Sequence, residues 1–231
     1  MTRSLVWVKP EGAEVADVEL DAGRMAATGS AIGGGPIPYR LEYELTTGER
    51  YVTARLAVRA HGTDAEAGPW RRWLELVNRP EGEWTVTARA EGHVALPPPG
   101  GDAAALRGAL DCDLGLSPLT NTMPVLRGRL LDGPPPGGSP DDGAPDDGAP
   151  DDGPSDDGAP SDGAPVEHLM AWVSVPDLVV TPSRQTYRFV RRDGDRRVVR
   201  FSSPGFTEEI VFDQDGLVVD YPSIGRAVSG P

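Results

Sequence analysis

The sequence predicts an all-β fold, and three observations carry that expectation. Apolar and polar residues alternate with period two through most of the chain, and no stretch sustains the i, i+3, i+4 spacing of an amphipathic helix. The alternating runs are short and bounded by Gly, Pro, Asn and Asp. One segment, 134–165, leaves the pattern: it repeats Asp-Asp-Gly-Ala-Pro and holds no apolar residue larger than Ala. The spacing corresponds to about 13–15 short strands, and an antiparallel sheet of that size rolls into a barrel-like form or splits into a sandwich.

The strands follow in order. Ser4–Val8 is a short apolar strand. From Glu14 to Asp21, Ala16, Val18 and Leu20 alternate with Asp17, Glu19 and Asp21, and Arg24–Ser30 pairs back after Ala22-Gly23. Gly33, Gly34 and Gly35 form a loop without the Lys-Ser/Thr of a phosphate cradle. Tyr39, Leu41, Tyr43 and Leu45 alternate with Arg40, Glu42, Glu44 and Thr46, a half-buried strand. Val52–Arg59 continues the pattern, and Trp70–Val77 with Trp84–Ala90 reads as a hairpin around Pro80-Glu81-Gly82. A helical turn is possible at Asp102–Leu106. After the repeat segment come Val166–Val175, Leu178–Val180, Thr186–Arg192, Arg196–Ser202, Thr207–Phe212 and Leu217–Asp220. Asp193-Gly194 is a strong hairpin signal, and Asp213-Gln214-Asp215-Gly216 reads as a turn, not a calcium loop.

Charge and cysteine usage narrow the function classes. The net charge is −14, and the insert contributes nine Asp with no basic residue, leaving −5 for the rest. An acidic chain does not draw phosphate backbones, so nucleic acid is disfavoured, although Arg188, Arg191, Arg192, Arg196, Arg197 and Arg200 could form a local basic patch. A single cysteine, Cys112, excludes an intrachain disulfide. No signal peptide or membrane helix is recognisable, so the expected location is cytoplasmic and the chain is not membrane-spanning. Residues 1–133 together with 166–231 are expected to form one β domain, and 134–165 a disordered acidic loop within a hairpin. Oligomeric state is open.

The richest chemistry lies in Leu106–Leu130, LRGALDCDLGLSPLTNTMPVLRGRL. Its first half alternates like a strand, which sets Asp111 and Asp113 side by side on one face. A turn-rich segment then brings Ser117, Thr120, Asn121 and Thr122, and the chain is expected to extend again through Arg127 and Arg129. Two carboxylates on alternate positions could act in hydrolysis, contact a ligand, or simply accept hydrogen bonds within the fold. Gly115-Leu116-Ser117-Pro118 lacks the last glycine of a nucleophile elbow, and His61, His93 and His168 have no metal-site spacing. No cofactor or metal is implied. Trp7, Trp70, Trp73, Trp84 and Trp172 are either core residues or platforms for sugar faces and acyl chains.

This stretch resembles the central signature of a bacterial family called putative glycolipid-binding proteins, which runs Leu-Asp-x-Asp-Leu, Ser-Pro-x-Thr-Asn-Thr-Leu-Pro, a hydrophobic residue and paired arginines. Leu110, Asp111, Asp113, Leu114, Ser117, Pro118, Thr120, Asn121, Thr122 and Pro124 match. Met123 replaces the leucine and Leu126 the first arginine, so only Arg127 carries over. Ala171-Trp172-Val173, Pro176-Asp177-Leu178, Gln185 with Tyr187, Asp215–Val218 and Asp220–Pro222 match as well. The resemblance implies the rolled alternative: a single antiparallel sheet curled into a barrel-like, spiral β-roll. It further implies a non-enzymatic protein that binds a glycolipid or another amphiphilic small molecule. The candidate ligand contacts are Asp111, Asp113, Thr120, Asn121, Arg127, Trp84, Trp172, Gln185, Tyr187 and Tyr221. Two rival readings stay open: a glycoside or ester hydrolase using Asp111 and Asp113, and a structural protein without a ligand.

Overall fold

Alternation becomes a curled sheet. A computed structural model describes residues 1–79, 82–133 and 163–228. Most of the acidic insert lies outside the described residues, as do Pro80 and Glu81 of the expected turn. The chain opens with seven strands in a meander: β1 (Thr2–Lys9), β2 (Gly12–Asp21), β3 (Arg24–Gly33), β4 (Tyr39–Thr47), β5 (Thr53–Asp64), β6 (Gly68–Asn78) and β7 (Trp84–Glu91). A four-residue strand, β8 (Asp111–Leu114), and one helix, α1 (Thr122–Arg127), follow. A second meander closes the chain: β9 (Val166–Val173), β10 (Val180–Asp193), β11 (Arg196–Ser203), β12 (Phe206–Phe212), β13 (Val218–Tyr221) and β14 (Gly225–Ala227).

All the strands belong to one 14-stranded sheet in the order β7-β6-β5-β4-β3-β2-β1-β14-β13-β12-β11-β10-β9-β8. The fold is all-β, and the sheet is strongly curled without closing into a barrel. Strand β14 was not foreseen; its three residues join the two meanders by pairing with β1 and β13. The curl brings β8 near β5 and β7. Thr53 donates its amide to Leu110 O at 3.1 Å, Cys112 N donates to Thr53 Oγ1 at 3.0 Å, and Trp84 Nε1 donates to Ala109 O at 3.0 Å.

Four local expectations fail. The strand read over Leu106–Leu114 is confined to Asp111–Leu114, after a 3₁₀ turn at Ala103–Leu106. Asp111, Cys112 and Leu114 are all buried, so the two faces of the strand do not divide into wet and dry as its alternation implied. The extended run expected through Arg127 and Arg129 is instead a 3₁₀ turn at Leu119–Asn121 running into α1. The insert does not sit within a hairpin, because β8 and β9 pair in parallel. Parallel neighbours need a long crossover, and the chain from Gly115 to Pro165 supplies it. Leu178, expected in a strand of its own, lies in a turn at φ 58° before β10.

The curl encloses the core in two clusters. The larger includes Trp7, Leu41, Leu56, Trp70, Leu74 and Leu114; the smaller holds Tyr187, Val199, Phe201, Ile210 and Phe212. Helix α1 joins them, with Met123 in the first and Val125 in the second. Truncating a fully buried leucine such as Leu56 to Ala removes about 2–5 kcal/mol. Strand β3 carries two glycines because rings lie over them. A Cβ on Gly29 would stand 2.2 Å from Tyr43 Cζ, and one on Gly33 2.2 Å from Tyr39 Cε1.

Both ends of the segment that includes the insert are tied to the β10–β11 hairpin. Arg192 Nη2 donates to Asp132 O at 2.9 Å, Arg197 Nε to Leu131 O at 3.2 Å, and Arg188 Nε to Gly163 O at 3.0 Å. Arg191 and Arg200 both pair with Glu209, so much of the expected basic patch is engaged in internal contacts. Among the described residues no helix is long and apolar enough to cross a membrane.

Candidate ligand-binding site

The register of the short parallel pair builds the site. β8 sets Asp113 beside Trp172 of β9, and β9 sets Trp172 beside Thr181 of β10. All three line an open cleft of about 540 Å³. Gly115 lets the chain turn away at once: its amide donates to Val173 O at 2.8 Å, and a Cβ there would collide with that same oxygen. The 3₁₀ turn at Leu119–Asn121 then folds Thr120 and Asn121 back beneath the strand.

The cleft floor is a connected polar network. Asp113 Oδ1 accepts from Thr120 Oγ1 at 2.9 Å, and Oδ2 accepts from Gln185 Nε2 at 2.6 Å. The Tyr187 hydroxyl lies 2.9 Å from Asn121 Oδ1 and 3.1 Å from Gln185 Oε1, sharing its one proton between them. Asn121 Nδ2 donates to Pro118 O at 3.2 Å. Burial pushes the Asp113 carboxyl above its usual range, and the bonds from Gln185 and Thr120 partly offset this. Burial also pushes Tyr187 well up, with Asp113 adding to the effect. A carboxylate has about four lone-pair positions, so Asp113 retains capacity to accept hydrogen bonds from a ligand.

Asp111 faces a different partner. Arg127 grips it with Nη1–Oδ1 at 2.6 Å and Nη2–Oδ2 at 2.5 Å, and both side chains are almost wholly buried. Burial raises the Asp111 carboxyl, against the pull of the guanidinium. Arg127 Nη2 also lies 3.1 Å from His168 Nδ1, and burial together with this cation lowers His168 to about 4. His168 is therefore neutral at physiological pH, accepting at Nδ1.

The candidate residues separate into three groups. Asp113, Asn121, Trp172, Gln185 and Tyr221 line the cleft. Thr120 and Tyr187 support those residues, and Asp111 with Arg127 forms an ion pair; none of the four lines the cleft. Trp84 stands apart on β7, bonded to Ala109 O. Arg129 does not join the cluster either; it is exposed and pairs with Asp132. Trp7 and Trp70 are core residues, and Trp73 carries Arg89 over its ring at 4.4 Å. Asp213 Oδ1 accepts from the amides of Asp215 and Leu217, so the Asp213–Gly216 segment is a turn.

One buried group escaped the sequence reading. Glu14 of β2 accepts from Ser117 Oγ at 2.6 Å, Tyr43 Oη at 2.9 Å and Lys9 Nζ at 2.5 Å. Its signal was present, since Glu14 shares the phase of Ala16, Val18 and Leu20. Ser117 lines the cleft, so Glu14 fixes one wall from beneath.

The family model described as "Putative glycolipid-binding" matches residues 4–135 and 160–227. The chain belongs to that family. The model of the putative glycolipid-binding family spans both meanders and the whole of β8, α1 and the cleft. A solved structure, a DUF1089 family protein from Pseudomonas aeruginosa, superposes with a TM-score of 0.57 at 21% identity, over 92% of this chain and 91% of that one. At that identity the likeness concerns the fold. No curated protein matches the chain.

Proposed function

We propose that the protein binds a glycolipid, placing the sugar headgroup in the cleft over Asp113, Gln185 and Asn121, and that it does so without turnover. The cleft's make-up carries this reading. Its floor offers amide and carboxylate groups, its walls include Trp172, Phe201, Phe206 and Tyr221, and Thr181, Ser183 and Ser203 add hydroxyls. Sugar rings match such surroundings, with apolar faces for aromatic contact and hydroxyls for a hydrogen-bonding floor. The family description points the same way. A cytoplasmic place of action remains part of this proposal.

Binding is favoured over hydrolysis because only one of the two carboxylates lines the cleft. Asp111 is held by Arg127, so the pair is not presented jointly to a glycosidic bond. Ser117, on the cleft wall with Glu14 behind it, is the feature that would favour an esterase instead. Glu14 is also held by Lys9 and Tyr43, so its carboxylate is engaged by three partners and not poised to take a proton from Ser117 alone.

Octyl β-glucoside, titrated below its micelle concentration and followed by tryptophan fluorescence, tests the proposal. Saturable binding is expected, weakened about tenfold or more in Gln185→Ala and Asp113→Asn with unchanged circular dichroism. Binding indifferent to both substitutions would remove the headgroup site. Release of octanol or glucose on prolonged incubation would replace binding with catalysis.

A further inference from the structure

A second cavity, of about 350 Å³, opens beside the cleft, and the two share Leu116, Val175 and Ile224. Its character differs. Ile32, Pro36, Ile37, Leu96 and Pro176 supply most of its apolar lining, with Lys9 and Glu11 the charged residues there. Lys9 is already engaged by Glu14. Leu116 stands at the seam, 46% exposed and held at φ 62°, a backbone region that costs a leucine energy. Ile32 is exposed as well, at 53%. An exposed, strained leucine between a polar and an apolar cavity is the arrangement that would divide the two halves of an amphiphile.

The first cleft also carries a charge signature. Among the described residues, Asp113 is the only carboxylate lining the cleft, and no Lys, Arg or His lines it. Arg127, the guanidinium closest in the network, is committed to Asp111. A phosphate or sulfate placed there would face Asp113 with no cation to offset the repulsion.

We propose that the second cavity is the acyl-chain compartment of the same site, entered past Leu116, and that the headgroup the cleft accepts is uncharged. This rests on the headgroup reading above and narrows it to neutral glycolipids.

The probes are octyl, decyl and dodecyl β-glucosides, dodecyl phosphate and dodecanol, each titrated below its micelle or solubility limit against the full chain. Affinity for the glucosides is expected to rise about fourfold per buried methylene. Dodecyl phosphate is expected to bind at least tenfold more weakly than dodecyl glucoside. Ile32→Trp, at a position 53% exposed on β3 and checked for an unchanged circular dichroism spectrum, should flatten the chain-length dependence while octyl glucoside binding stays sensitive to Gln185→Ala. Chain-length dependence that is absent, or unmoved by Ile32→Trp, while glucosides still bind at Gln185, overturns the tail compartment and leaves the headgroup site standing. Dodecyl phosphate binding as tightly as the glucoside overturns the uncharged headgroup. Dodecanol binding that depends on Ile32, with no glucoside bound at all, keeps the tail compartment and removes the headgroup reading instead.

Discussion

Ser117 donates its hydroxyl proton to Glu14 at 2.6 Å, joining residues 103 positions apart. The bond ties β2 of the first meander to the turn after β8, next to Leu116 at the seam between the cavities. Glu14 is wholly buried at its side chain and Lys9 is 7% exposed there. Removing the carboxylate leaves a buried ammonium without a counter-charge, a loss of about 3–5 kcal/mol. Glu14→Ala should therefore lower the urea midpoint sharply, and adding Lys9→Met should restore much of it. A double variant no more stable than Glu14→Ala would show that the pair is not coupled as drawn.

Arg127 and Asp111 make the same kind of prediction within the family signature. Arg127→Met should destabilise by about 3–5 kcal/mol, since Asp111 is fully buried and loses its cation. Arg127→Met with Asp111→Asn should recover part of that loss. The ratio of affinities for glucosides and for dodecyl phosphate should not change in the folded double variant. A changed ratio, measured by titration, would bring Arg127 back into contact with the ligand.

His168 gives a pH dependence with a definite sign. Its folded value is about 4, below the ordinary histidine value of 6.5, through burial and the Arg127 cation. Between these values the unfolded chain binds more protons, so this group's contribution to stability is complete above about pH 6.5 and is lost as pH falls toward 4. Asp111 and Asp113, both raised, act in the opposite sense: their contribution is lost as pH rises through their folded values. Comparing wild type with His168→Gln isolates the histidine. The wild type should lose more stability between pH 7 and pH 5, and the His168 ring resonances should titrate near pH 4 by NMR.

Gly29→Ala should cost about 1–3 kcal/mol, because the new methyl would meet the Tyr43 ring at 2.2 Å while the Tyr43 hydroxyl is held by Glu14. Gly194→Ala has nothing within 4 Å and should lose only the cost of its positive φ. Thermal melts of the two variants should therefore separate clearly, with Gly29→Ala the lower.

The first meander was legible in the sequence because strands such as β2 and β4 have a wet face and a dry one. In β4 the alternation of Tyr39, Leu41, Tyr43 and Leu45 with charged residues reappears as strict alternation of burial. The stretch from Ala109 to Leu130 was harder. Between Ser117 and Val125 every residue is buried, so no wet face marks where the strand gives way to the 3₁₀ turn and α1. The site was read through its polar residues, which located Asp113, Asn121 and Gln185 at the cleft but could not tell lining from support. Trp84 and Trp172 looked equivalent as residues; only the register of β9 against β8 and β10 takes Trp172 to the cleft.

Arg192, Arg197 and Arg188 hold the carbonyls of Asp132, Leu131 and Gly163, so the chain departs from the β10–β11 hairpin and returns to it at fixed moorings. The family model passes over 136–159 between those moorings. Chain length there is thermodynamically inexpensive, about 0.6 kcal/mol for each doubling. The crossover is therefore a splice point. A reporter peptide or affinity tag grafted between the moorings should leave both cavities intact, and the protein could be labelled for ligand discovery without touching either terminus.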